Sequence, residues 1–162
     1  NIKKNTFKKF FNFKENSFLL FFLIFIIFLQ IIMGAFVSGL DAGKIYQTWP
    51  LMNGGYFPND IALNKTNDFL DLDNHSLVQF YHRNLAYFIL AYSIMIGFSI
   101  IKNNQKSIVK PFYIFIGILF LQVILGIITL ISGLNMFLAS GHQIFSLLLM
   151  LSAINLYYYH IK

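Results

Sequence analysis

An all-α integral membrane protein, with four transmembrane helices forming a bundle of two pseudo-symmetric helical hairpins and a long outer loop, is the fold class the sequence predicts. Three observations carry it. Hydrophobic residues make up 57% of the 162 positions and charged residues 11%, whereas a soluble domain carries roughly a quarter charged residues. Between Lys110 and Lys162 there is no Asp, Glu, Lys or Arg, a length that a soluble helical hairpin could hardly keep in solution. A short motif also recurs: Leu29-Gln30-Ile31-Ile32-Met33-Gly34 matches Leu121-Gln122-Val123-Ile124-Leu125-Gly126. Each copy stands in a span that leads into another with a histidine near its start, so the two hairpins are expected to be related by a pseudo-twofold axis along the membrane normal.

Residues 1–16 are polar and basic, with Lys3, Lys4, Lys8, Lys9 and Lys14 against the single Glu15. Interleaved Phe7, Phe10, Phe11 and Phe13 suggest a short helix on an anionic leaflet, or a plain topology anchor. The segment lacks the small-residue cleavage site of a signal peptide, so the following span is expected to be retained. The chain starts at Asn1 rather than Met, and a piece of a longer protein is expected.

The first span is Ser17 to about Leu40, with Gln30 as its one strongly polar side chain. At ~1.5 Å per residue it crosses a hydrocarbon layer of ~30 Å with some room for tilt. Gly34 and Ser38, like Ala35 and Gly39, stand four apart, a spacing that lets a helix or a flat ligand approach the backbone. Asp41 to His75 is a loop of 35 residues holding five of the six acids, Asp41, Asp60, Asp68, Asp71 and Asp73. Its aromatic, turn-rich first half, from Tyr46 to Pro58, suits a folded lid at the membrane interface better than a disordered linker. The second span is expected from about Ser76 to Ile101, the third from Pro111 to about Ser132, and the fourth from about Leu138 to Tyr159. Nine of the twelve basic residues fall at the ends this places inside, so both termini should face the cytoplasm or the mitochondrial matrix.

Two histidines fall inside spans that run in the same direction. His82 lies six residues past Ser76 and His142 four past Leu138, so at ~1.5 Å per residue both rings sit roughly 6 to 9 Å below the outer start of their helices. Ionisable groups in hydrocarbon are costly and mark functional sites by default. Two neutral imidazoles at one depth, with Gly141, Ala86 and Ser146 leaving space, suit axial ligation of a low-spin haem. They equally suit hydrogen bonds between helices. Arg83 would pair with a propionate, or snorkel to the surface. Zinc would need three or four ligands, which no His, Asp or Glu spacing completes. With no cysteine, disulfides, thiolate metal sites and covalent haem attachment through Cys-x-x-Cys-His are excluded. His75 and His160 read as interfacial residues.

Gly39-Leu40-Asp41-Ala42-Gly43, then Tyr46-Gln47-Thr48-Trp49-Pro50-Leu51-Met52, then Val78-Gln79-Phe80-Tyr81-His82-Arg83, then Leu121-Gln122 to Gly126, then His142-Gln143, together resemble the C-terminal half of haem A synthase. The resemblance covers roughly Gln30 to Ser152. It implies an eight-span oxidoreductase that oxidises a methyl group of haem O to the formyl group of haem A for cytochrome oxidase assembly. It further implies a haem b cofactor held by His82 and His142 as axial iron ligands, with Arg83 beside it. The substrate haem would sit in the other half, where a glutamate stands three residues before the corresponding histidine. That position is Gln79 here, and an amide cannot serve as a carboxylate base. No catalytic residue is therefore expected in this half, and the chain alone should lack synthase activity.

The partners expected are haem O in the missing half, haem O synthase, cytochrome oxidase assembly factors, membrane lipid and a second copy of the chain, but not nucleic acid. The membrane would be the bacterial cytoplasmic or the mitochondrial inner one. Two other readings remain: a b-type cytochrome that only relays electrons, and a structural assembly subunit.

Overall fold

The structure, a computed structural model, describes residues 15–61 and 71–162. Lys3, Lys4, Lys8, Lys9 and Lys14 of the basic segment, and Lys65 and Asp68 of the outer loop, lie outside those residues. Four helices follow in chain order: α1 (Glu15–Gly39), α2 (His75–Lys102), α3 (Lys106–Ile131) and α4 (Met136–Ile161). Each is long and apolar enough to cross a membrane, and among the described residues there is no strand, only an isolated bridge between Met52 and Gly55. The chain is an all-α membrane protein.

Local chemistry sets the helix ends. Asn74 caps α2 by accepting from the Leu77 amide at 3.1 Å, and Asn135 caps α4 by accepting from the Phe137 and Leu138 amides at 3.0 and 3.4 Å. Between α3 and α4 the chain reverses through Gly133 and Leu134, both at positive φ, with the Leu134 amide returning to the Thr129 carbonyl at 3.0 Å.

The helices differ modestly from the spans expected, about 17–40, 76–101, 111–132 and 138–159. The largest difference is at Pro111, expected to open the third span and found inside α3, which begins at Lys106. A proline this close to the helix start forfeits only the bond to the Ser107 carbonyl, so the helix extends past it toward the basic turn. His75, expected in the outer loop, forms the first residue of α2 for the same kind of reason, since the Asn74 cap precedes it.

Each hairpin packs as one pair, α1 on α2 and, most closely, α3 on α4; α1 also runs along α4, and α2 meets α3 more lightly. This ring puts α2 and α4 at opposite corners. The apolar core is concentrated toward the α2–α3 turn, where Leu23, Ile27, Ile96, Phe115, Leu156 and Tyr157 are buried. Side chains on the outer faces are large and apolar too, Phe98 being 70% and Phe137 87% exposed. Hydrocarbon is their natural solvent, and packing rather than hydrophobic transfer then decides helix association. At the α2–α3 contact a Cβ on Gly97 would stand 2.7 Å from Phe112 Cζ. Gly97→Ala should therefore destabilise the bundle by about 1–3 kcal/mol, read as a lower midpoint for loss of helical circular dichroism in detergent, and Phe112→Leu should restore it.

Candidate functional site

The site lies at the loop end of the bundle, above the apolar core. His82 stands seven residues past the start of α2 and His142 six past the start of α4, so both rings enter at nearly the same level. α2 and α4 occupy opposite corners of the bundle, and His82 is within electrostatic reach of both His142 and Arg83. The structure thus sets His82 and His142 at nearly one level, within electrostatic reach of each other.

Each histidine is met by the helix beside it. From α1, Gln30 Nε2 donates to the His82 carbonyl at 3.1 Å and lies 3.4 Å from the ring Nε2. From α3, Gln122 Nε2 donates to the His142 carbonyl at 3.0 Å. One turn further along each helix a glycine faces the imidazole: a Cβ on Gly34 would stand 3.2 Å from His82 Cε1, and one on Gly126 2.9 Å from His142 Cε1. The duplicated sequence motif therefore contributes the same two contacts to each histidine. Four buried atoms here lack a hydrogen-bond partner, His82 Nδ1, His142 Nδ1, Gln30 Oε1 and Gln122 Oε1. A buried polar atom left so costs roughly 1–3 kcal/mol, and four around one point mark a place built for something other than packing.

Arg83 reaches from α2 to the outer loop. Its Nη1 donates to the Thr48 carbonyl and its Nη2 to the Tyr46 carbonyl, each at 2.9 Å, while Nε is buried without a partner. Gln79, almost wholly buried, donates to the same Tyr46 carbonyl at 2.9 Å. A glutamate at 79 would set carboxylate oxygens against that carbonyl, so the amide is what this position requires. Two neighbouring turns of α2 thereby hold the outer loop by its backbone.

The loop is folded where it is described. Met52 and Gly55 exchange backbone hydrogen bonds, Met52 is buried, and Phe57 packs edge-on against Phe80 of α2 at 5.0 Å between centroids. Trp49 Nε1 donates to the Tyr87 hydroxyl at 3.1 Å, and the Tyr56 hydroxyl to Asn84 Oδ1. After α1 the chain turns at Asp41, in the left-handed region at φ 55°, and Gly43 packs so closely on Leu134 that a Cβ there would stand 2.9 Å from it. The loop thus touches both hairpins. Among the described residues no group of three or more His, Asp or Glu is placed to hold a metal ion. His75 is exposed on the first turn of α2, and His160 lies at the far end of the bundle beside Leu19 and Gln105.

Asp60 is the residue that sequence reasoning missed. Its two carboxylate oxygens accept from the Tyr46 hydroxyl at 2.6 Å and from Ser76 Oγ at 2.5 Å, joining the loop to the first turn of α2. No spacing advertises it; the one signal is an acid just after the buried Pro58. Burial opposes ionisation of this carboxyl, but the Ser76 and Tyr46 hydroxyls that donate to it hold it below its ordinary value. Burial, reinforced by the Asp60 charge, pushes the Tyr46 phenol up.

Asp60 thus strengthens the loop's attachment above the ordinary carboxylate range, and this contribution is lost as pH falls through its lowered value. The neutral Tyr46 phenol contributes below the ordinary phenol range and ceases to as pH rises through its raised value. Trp49, the sole tryptophan, sits in the loop and reports it. Its fluorescence should hold steady at neutral pH and shift on acidification. In Asp60→Asn the shifted emission should already be present at neutral pH.

Comparison with known proteins places this geometry. A family model described as cytochrome oxidase assembly protein matches residues 2–154. A haem A synthase of Pelagibacter ubique is 46% identical over 145 residues, 90% of this chain and 42% of that protein. One from Wolbachia pipientis wMel is 39% identical over 127 residues, covering 78% of this chain and 35% of the relative. One from Rickettsia africae is 37% identical over 142 residues, covering 86% and 41%. The chain spans about two-fifths of the length of these relatives. No solved structure matches.

Proposed function

Since the chain belongs to the haem A synthase family of cytochrome oxidase assembly proteins, we propose that it is the haem b-binding half of such an enzyme, with His82 and His142 as the two axial ligands. The observation that carries the reading is the approach of two imidazoles at one level from opposite corners of the bundle, each with a ring nitrogen lacking a partner. Two neutral nitrogen donors are the ligand set of a six-coordinate haem. The glycines at 34 and 126 supply the lateral room that rings fixed at iron require.

The chemistry a bound haem b supplies is reversible one-electron transfer, and the protein's own groups shape where it happens. Gln30 and Gln122 hold the backbone at the two ligands. Arg83 brings a positive charge to the loop end of the site, and its partnerless Nε suits a propionate oxygen. The loop tied down by Arg83, Gln79 and Asp60 shields the site from water. Because position 79 is an amide engaged by the Tyr46 carbonyl, this half has no carboxylate to serve as base there. Oxidation of the haem O methyl to the formyl of haem A would belong to the remaining part of the enzyme, with this chain feeding or storing electrons for it. In the membrane, the loop would lie outside and both termini on the cytoplasmic or matrix side, following the lysines.

Purified chain should carry one low-spin haem b, and His82→Ala or His142→Ala should each remove it, as pyridine haemochrome quantification and the reduced-minus-oxidised spectrum would record. Retention of normal low-spin haem by either variant overturns the ligand assignment. The absence of native cysteine makes orientation simple to check. A membrane-impermeant maleimide should label Lys44→Cys in intact cells and Asn104→Cys only after permeabilisation.

A further inference from the structure

We propose that Gln30 with Gly34, and Gln122 with Gly126, are positioning pairs that fix the orientation of the His82 and His142 imidazoles. The inference rests on the haem-ligand reading above and extends it to residues that touch no iron.

In each motif the glutamine and glycine stand four residues apart, on one face of their helix. The glutamine reaches the backbone of the neighbouring helix at the histidine itself, at 3.1 Å for His82 and 3.0 Å for His142. A helix carbonyl has a second lone pair beyond its own helical bond, so the added donor fixes the histidine's register and rotation without breaking the helix. The glycine then bounds the ring on one side. At 3.2 and 2.9 Å, a methyl group in place of either glycine hydrogen would press on Cε1. A free imidazole can yield by turning about its Cβ–Cγ bond. One pinned at iron cannot, so crowding becomes a ligation penalty.

The arrangement recurs on both sides of the site with the same atoms, although α1 and α3 belong to different hairpins. Glutamines selected only to hold helices together would be expected to satisfy both ends of the amide, yet Oε1 is buried without a partner in both. What is conserved across the duplication is the donor to the histidine's own carbonyl. The planes of two axial imidazoles, and the basicity of each ring, tune the electronic structure and potential of a haem, so a seat for each ring is a means of setting both.

The test uses the full haem-loaded chain. Gln30→Leu and Gln122→Leu should retain haem but shift the low-spin electron paramagnetic resonance signal and the midpoint potential. Gln30→Met and Gln122→Met, which nearly keep side-chain length while removing the hydrogen-bond donor, should do the same and serve where a leucine variant does not fold. Gly126→Ala should lower haem occupancy more than Gly34→Ala, following 2.9 against 3.2 Å. Variants of both glutamines with the wild-type signal and potential at full occupancy would overturn the positioning role while leaving the ligand assignment standing. A folded wild-type chain with no low-spin haem would instead remove the reading on which it rests.

Discussion

Inside a bundle bathed in hydrocarbon, a polar group must find its partner within the protein, and this constraint organises the loop end of the molecule. The α2 segment from Ser76 to Tyr87 carries a glutamine, a histidine, an arginine and an asparagine where lipid could solvate none of them. Gln79 Nε2 and both Arg83 Nη atoms donate to carbonyls of the outer loop, Asn84 meets the Phe80 carbonyl and the Tyr56 hydroxyl, and the His82 carbonyl accepts from Gln30, while Gln79 Oε1 and Arg83 Nε stay buried without a partner. The loop is held down because it supplies acceptors that the membrane cannot. In return, the loop's own backbone is protected by donors from α2.

The same constraint distinguishes the two ends of the bundle. Toward the α2–α3 turn the packing is mainly apolar, the buried Ser93 and Ser152 hydroxyls being bonded to carbonyls of their own helices, and Gly97 against Phe112 sets how closely two helices meet. Toward the loop, the imidazole Nδ1 atoms and the glutamine Oε1 atoms are buried and unsatisfied. A native interior tolerates few such groups, and their concentration around His82 and His142 separates a site from a core. Membership of the haem A synthase family supplies the chemical context in which two inward imidazoles acquire a use.

Much of this was legible in the sequence, for identifiable reasons. Helix number and approximate length follow from hydrophobicity and the rise per residue, and the common depth of His82 and His142 follows from counting along two like-directed helices. The duplicated Gln-Gly motif was visible as a repeat, but its task was not, since only the structure shows the amide reaching a backbone carbonyl. Pro111 misled because proline commonly opens a helix, whereas here α3 starts at Lys106 and absorbs it. Arg83 and Asp60 were opaque for a deeper reason. Arg83 donates to the backbone carbonyls of residues 46 and 48, Asp60 accepts from two hydroxyls brought together by the loop's path, and no residue type signals such partners in advance.

The central claim is that one iron is bound axially by both imidazoles. Iron-edge X-ray absorption on the haem-loaded chain measures this most directly, because axial imidazole rings give a distinct multiple-scattering pattern. The account predicts a six-coordinate iron with two imidazole axial ligands. A five-coordinate iron, or an oxygen or sulfur atom in place of one imidazole, would contradict it.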